Sequence, residues 1–120
     1  MNVGSTKEIS PEKRISITPD TSKSFKNLGL KVFIEKGYGE SLGYSDKDYQ
    51  DNGAEILNNS DEVLSKSDLI CKVSFPTERE LSLIKENSHL IVSNYNSEKE
   101  KKFIKNKINI FALNLLPRIT

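Results

Sequence analysis

Asp68 to Ser93 reads DLICKVSFPTERELSLIKENSHLIVS, and its three parts decide the fold. Leu69, Ile70, Cys71 and Val73 form a strand-length run that is apolar on both faces, as buried parallel strands are. Thr77 then stands three residues before Glu80, so the hydroxyl and the carboxylate can each satisfy a backbone N–H at a helix start; the helix is predicted over Thr77 to Lys85. A second apolar run follows at His89 to Ser93. Strand, helix, strand in that order implies a parallel pair joined by a right-handed crossover.

The same rhythm extends in both directions. Strands are predicted at Met1 to Gly4, Lys31 to Glu35, Ala54 to Leu57, Asp68 to Val73, His89 to Ser93 and Ile108 to Leu113. Thr18 and Pro19 start a helix that runs to about Leu28, where Gly29 supplies the left-handed stop. Ser45 precedes an acidic first turn at Asp46 to Asp48, which suits the positive end of a short helix that Gly53 terminates. Ser60 to Ser65 and Ser97 to Lys107 complete the helical set. The fold class expected is therefore α/β, a mainly parallel sheet with helices on both faces, flavodoxin-like in its layering. Residues 1–120 read as one domain, with no repeat or linker.

Composition narrows the function. The chain is 35% hydrophobic and 29% charged, with a formal net charge of +1. No basic stripe accompanies that balance, which argues against nucleic acid; Glu98 to Lys107 reads as a solvated helix face. The apolar runs fall far short of the roughly 20 residues that span a bilayer. A lone cysteine, Cys71, and the lack of a cationic leader before an apolar run point to the cytoplasm. One histidine, His89, supports neither a metal site nor a nucleophile and base pair.

Two side chains draw attention in their own right. Arg14 sits in a polar loop before the β-like stretch Ile15 to Thr18, where a fixed guanidinium suits bidentate binding of a carboxylate. Lys72 interrupts an apolar strand near its C-terminal end, where open α/β sheets place their sites. A lysine is costly to bury unpartnered, so Lys72 is expected to project into a crevice, with Cys71 on the opposite face in the core. Gly37, Gly39 and Gly43 are spaced G-x-G-x-x-x-G and lead into an acidic helix start, which reads as a structural loop and not a pyrophosphate cradle.

In combination these segments resemble the alanine dehydrogenase and NAD(P) transhydrogenase alpha-subunit family over essentially the whole chain. The resemblance rests on VGSTKE (Val3 to Glu8), RISITP (Arg14 to Pro19), LGLKV (Leu28 to Val32), EKGYG (Glu35 to Gly39), YSDKDY (Tyr44 to Tyr49), GAEI (Gly53 to Ile56) and SDLICKV (Ser67 to Val73) with Pro76 after it. It implies the N-terminal part of that family's first domain, without the Rossmann half that holds the pyrophosphate, so that the piece alone is expected to be inactive.

Within that family the alanine dehydrogenase branch uses the arginine matching Arg14 and the lysine matching Lys72 to bind the substrate carboxylate and carbonyl, with a histidine after the next strand. Here that neighbourhood, Val92 to Asn96, has no histidine. The ending LLPRIT, Leu115 to Thr120, is similar to the transhydrogenase branch, in which P-R-I-T borders the nicotinamide. The resemblance thus implies an NAD(H)-binding alpha subunit of a proton-translocating transhydrogenase. Arg118, Ile119 and Thr120 would be cofactor-binding, with Arg14 and Lys72 inherited positions. It further implies NADP on a partner domain, a membrane domain, a homodimer of the full subunit, and a place on the cytoplasmic face of the membrane. An alanine dehydrogenase fragment and a non-catalytic flavodoxin-like module are the alternatives.

Overall fold

The computed structural model describes residues 1–9, 12, 14–94 and 108–112. Its elements are β1 Asn2–Ser5, α1 Pro19–Asn27, β2 Lys31–Glu35, α2 Asp46–Asp51, β3 Ala54–Leu57, α3 Ser60–Lys66, β4 Leu69–Ser74, α4 Glu78–Leu83, β5 His89–Asn94 and β6 Asn109–Ala112. A short 3-10 turn, Glu40–Leu42, lies between β2 and α2. The expected helix at residues 97–107 lies outside the described residues. Ile15 to Thr18, expected to be β-like, pairs with no strand; Tyr38 takes the N–H groups of Ser16 and Ile17 instead.

The six strands form one sheet in the order β3-β2-β1-β4-β5-β6, all parallel. The order runs outward from β1 to β3, then returns to the other side of β1 for β4. That reversal makes the gap beyond the C-terminal ends of β1 and β4 the switch point of a doubly wound sheet, where such folds open a crevice.

Register assigns each strand residue to a face. Val3, Val32, Ile34, Ala54 and Cys71 pack in one core with Ile17, Tyr38 and Tyr49, and Phe25 of α1 lies against it. On the other face Ile70, Leu90 and Val92 pack with Leu64 of α3 and Leu81 of α4, and Phe33 and Leu57 with Val63. Helices therefore cover both faces, α1 on one and α3 and α4 on the other, as expected for parallel strands whose two faces both need burial.

Capping fixes where the helices begin. Thr18 accepts from Thr21 N, Asn59 from Glu62 N, and both Ser45 with Asp48 and Thr77 with Glu80 form reciprocal boxes. Gly29 ends the α1 turn at a φ of 86°, a conformation that costs glycine little.

Gly4 answers a different need. On the face of β1 that meets α3, a Cβ here would fall on Ser67 Oγ and 2.9 Å from Val63 Cγ1. Ser67 is fully buried, and its hydroxyl is committed to Val63 O at 2.6 Å, so the helix end has little freedom to yield. Gly4→Ala is expected to destabilise the chain by about 1–3 kcal/mol through overpacking, read as a lower urea midpoint. A loss below about 0.5 kcal/mol, within the range of inconsequential surface changes, would mean that α3 does not rest on β1 this closely.

Candidate functional site

Two charged side chains reach the switch point from opposite ends of the sequence. β1 ends at Ser5, and Thr6, Lys7 and Glu8 lead the chain over the C-terminal edge; β4 brings Lys72 to the same edge on the α3 and α4 face. The expectation that Lys72 stands in an open crevice is corrected here: its side chain is only 2% exposed. Burial is tolerated because the ammonium is surrounded by acceptors. Nζ lies 3.5 Å from Glu8 Oε2 and 3.5 Å from Glu80 Oε2, and it donates to Thr6 Oγ1 and Lys7 O, each at 3.3 Å.

Glu8 and Glu80 each serve twice. The Glu8 carboxylate accepts Val73 N and Ser74 N, both at 3.0 Å, one on each oxygen. Its side chain is as buried as that of Lys72. Glu80 uses Oε1 to accept Thr77 N at 3.0 Å and turns Oε2 toward Lys72. The cluster thus holds one positive and two negative charges, every one of them hydrogen-bonded, which is the condition for keeping charges out of water.

Arg14 lies beyond this cluster with its side chain 67% exposed. It does hold a carboxylate in the bidentate geometry that its chemistry suggests, but the carboxylate is Glu12 of the same loop, at 3.0 Å to Nε and 2.9 Å to Nη2. The guanidinium is held above its ordinary pKa, first by that hydrogen bonding, then by the charge of Glu12 and, more weakly, of Glu8. Glu8 therefore faces Lys72 directly and reaches Arg14 by its field.

Two tyrosines fasten the loop that carries Arg14. Ser5 Oγ donates its proton to Cys71 O at 2.7 Å, so the 2.8 Å contact with Tyr38 is donated by the phenol. Tyr38 Oη in turn accepts Ser16 N at 2.9 Å and Ile17 N at 3.2 Å, while Tyr49 Oη donates to Ile17 O at 2.8 Å. Burial pushes both phenols above their ordinary pKa. Cys71 lies in the core on the face opposite Lys72, and burial pushes its thiol up to about 11. At neutral pH it is a packing side chain and not a nucleophile.

The glycine loop does not fit a pyrophosphate. Gly37 N already donates to Asp46 Oδ1 at 2.9 Å, and a Cβ on Gly39 would stand 2.7 Å from Tyr44 Cβ and 2.8 Å from Tyr49 Cε2. Gly39 makes room for tyrosine packing. No cofactor step follows from the described residues, and among them no group of three or more His, Cys, Asp or Glu could hold a metal and no helix is long and apolar enough to cross a membrane. Arg118, Ile119, Thr120 and the Asn96 neighbourhood lie outside the described residues.

Sequence reasoning singled out Lys72 and Arg14 but not Glu8 and Glu80 as their surroundings. The signal was present in a weak form. A lysine inside an apolar strand demands a counter-charge, and Glu8 follows the strand that neighbours it; Glu80 was already accounted for by its cap.

The domain is doubly wound and all-parallel, with an acidic residue and a lysine meeting at the switch point. Residues 4–120 match the family model described as the alanine dehydrogenase/PNT N-terminal domain, and the chain belongs to that family. It is 32% identical over its whole length to the NAD(P) transhydrogenase subunit alpha of Haemophilus influenzae, spanning 24% of that protein. To the alanine dehydrogenase of Methanococcus maripaludis it is 41% identical over 91 residues, 75% of this chain and 24% of that protein. The transhydrogenase from Sinorhizobium meliloti superposes with a TM-score of 0.90 at 29% identity, covering 100% of this chain and 37% of that one. Both named relatives are oxidoreductases. The chain spans about a quarter of the length of the curated relatives it matches.

Proposed function

We propose that this chain is the opening part of the NAD(H)-binding alpha subunit of a proton-translocating NAD(P) transhydrogenase. One observation carries the choice over alanine dehydrogenase: both cations that an amino-acid substrate would need are bound by the chain's own carboxylates, Lys72 by Glu8 and Glu80 and Arg14 by Glu12. At Lys72 a substrate carboxylate would have to displace hydrogen-bonded groups from a buried cluster, at a cost that small ligands cannot meet cheaply. The lack of a histidine at Val92 to Asn96 agrees with this reading, as does the coverage of this chain, 100% by the transhydrogenase relative against 75% by the alanine dehydrogenase.

In this reading the domain formed by residues 1–120 is incomplete, and the pyrophosphate is gripped by a Rossmann domain elsewhere in the full subunit. Arg118, Ile119 and Thr120 border the nicotinamide, which exchanges hydride with NADP held by a partner domain. A membrane domain couples the transfer to proton movement, the full subunit is a homodimer, and this part lies on the cytoplasmic face. Arg14 and Lys72 are structural in this branch.

The test uses the intact subunit that carries this sequence, with its partner subunits. Arg118→Ala is expected to weaken NADH binding by about tenfold or more, equivalent to about 1.4 kcal/mol. Alanine-dependent formation of NADH is expected to be absent in the unaltered protein. Unchanged NADH binding and turnover in the variant, or alanine dehydrogenation by the parent, would overturn the reading.

A further inference from the structure

Asn52 and Gly53 are the single Asn-Gly pair in the sequence, and they form the turn between α2 and β3. The pair carries its own chemistry. A glycine nitrogen, unhindered by a neighbouring Cβ, can attack the asparagine side-chain carbonyl with water as the proton acceptor. A bond forms from Gly53 N to Asn52 Cγ, the bond from Cγ to Nδ2 breaks, and Nδ2 leaves with the proton as ammonia. Water then opens the ring at one of its two carbonyls. Breaking Gly53 N from Cγ gives aspartate; breaking it from the main-chain carbonyl carbon gives isoaspartate, in which the chain runs on through Cβ and Cγ.

The folded turn withholds each element of that reaction. Ring closure needs Cβ to eclipse Gly53 N across the Cα–C bond, and the Asn52 ψ of 21° holds the two far from that arrangement. Gly53 N donates to Gln50 O at 3.1 Å, and Nδ2, the leaving nitrogen, donates to Asp48 O at 2.7 Å. From α1, the fully buried Ser22 donates through Oγ to Asn52 O at 3.3 Å. Lys26, also of α1, lies across Gly53 so closely that a Cβ there would fall on Lys26 Cδ. Two α1 side chains thus clasp a turn that follows a helix of only six residues, beside the edge strand β3. A short helix next to a sheet edge is the kind of segment that opens at less cost than the whole domain.

We infer that Asn52 is a latent modification site: the clasp of Ser22 and Lys26 keeps it from converting to aspartate and isoaspartate, and it reacts when that clasp opens locally. The products do not restore the turn. Isoaspartate lengthens the main chain by a methylene directly before Ala54, whose pairing with Val32 this turn sets. Either product adds a negative charge after Asp48 and Asp51 in a helix that is already acidic. Conversion is therefore a lasting record of how long this edge of the sheet has stood open, and it holds whatever the redox reading of the chain.

Ageing of the full chain at constant pH tests it, followed by the amide-to-acid mass gain of the Asn52 peptide and by enzymatic methylation of isoaspartate. Native Asn52 is expected to convert at least about tenfold more slowly than in the same chain unfolded in guanidinium chloride. Equal rates would overturn the inference. Lys26→Ala, an exposed truncation that uncovers Gly53, and Ser22→Ala, which frees Asn52 O, should each raise the native rate about threefold or more. If Ser22→Ala fails to fold, Lys26→Ala decides alone. Gly4→Ala, which loosens the opposite face of the sheet, should leave the rate unchanged under conditions where it is folded. A clasp variant without effect, or a rise with Gly4→Ala as large as with Lys26→Ala, would overturn the local route. Asn52→Gln should abolish the mass gain of that peptide, and its persistence would overturn the assignment to Asn52.

Discussion

Lys72→Met is expected to destabilise the chain by about 3–5 kcal/mol, the usual cost of removing one partner from a buried ion cluster. Methionine fills much of the same volume, so packing is nearly conserved and the loss measures charge. What remains is Glu8, as buried as the lysine was, and Glu80 beside it, with no cation between them. Equilibrium urea unfolding reads the effect. A double variant that adds Glu80→Gln should recover part of it, since the amide oxygen can still accept Thr77 N while one of the two orphaned charges is removed. A single-variant cost under about 1 kcal/mol, the range of exposed pairs, would mean that solvent reaches the cluster and would undermine the account of Lys72 as structural.

Tyr49→Ala should have an effect of similar size, about 3–5 kcal/mol for truncation of a large buried aromatic. Tyr49 is fully buried, packs edge-on against Tyr38 with ring centroids 5.7 Å apart, and donates to Ile17 O. Tyr49→Phe removes only the last contact and should cost about 1 kcal/mol. The comparison separates ring burial from the hydrogen bond that holds the Arg14 loop. pH gives an independent check. The folded phenol titrates above its ordinary value of 10.0 because burial disfavours the phenolate. Its stabilising contribution is therefore intact below pH 10 and is lost as pH rises toward the folded value. Phenolate absorbance assigned to Tyr49 as the difference between the parent and Tyr49→Phe, and developing at the ordinary pH without unfolding, would contradict the buried placement.

Most of the framework was legible in the residues. β2 and β3 have the predicted bounds, and β4 and β5 fall within a residue of theirs, because alternating apolar runs between turn residues leave few options. Helix starts at Thr18, Ser45 and Thr77 were readable because capping is local chemistry. Spatial order was not local. Nothing in a strand's own sequence shows that β1 lies beside β4, and that neighbour relation alone brings Glu8 to Lys72. Lys72 was expected in a crevice because its partners were not identifiable. Arg14 was read as a loop guanidinium suited to a carboxylate; the carboxylate it holds is Glu12, two residues away. Tyr38 and Tyr49 were read only as part of family-like segments, since their roles depend on how the chain folds back over Ser16 and Ile17.

The placement of β1 in the middle of the sheet also sets a timetable for the growing chain. Asn2–Ser5 is synthesised before both of its neighbours: one flank waits for Lys31–Glu35 and the other for Leu69–Ser74. At about 5–20 residues per second of synthesis, Glu8 spends several seconds before the amides 65 and 66 positions downstream exist to receive it. During that interval the β4 flank of the first strand has no partner, while the β2 flank can pair once Lys31–Glu35 is made. Pairing of β1 with β4 fixes the strand order and brings Glu8 to Lys72. A nascent chain halted before Ser74 should accordingly remain protease-sensitive along its whole length.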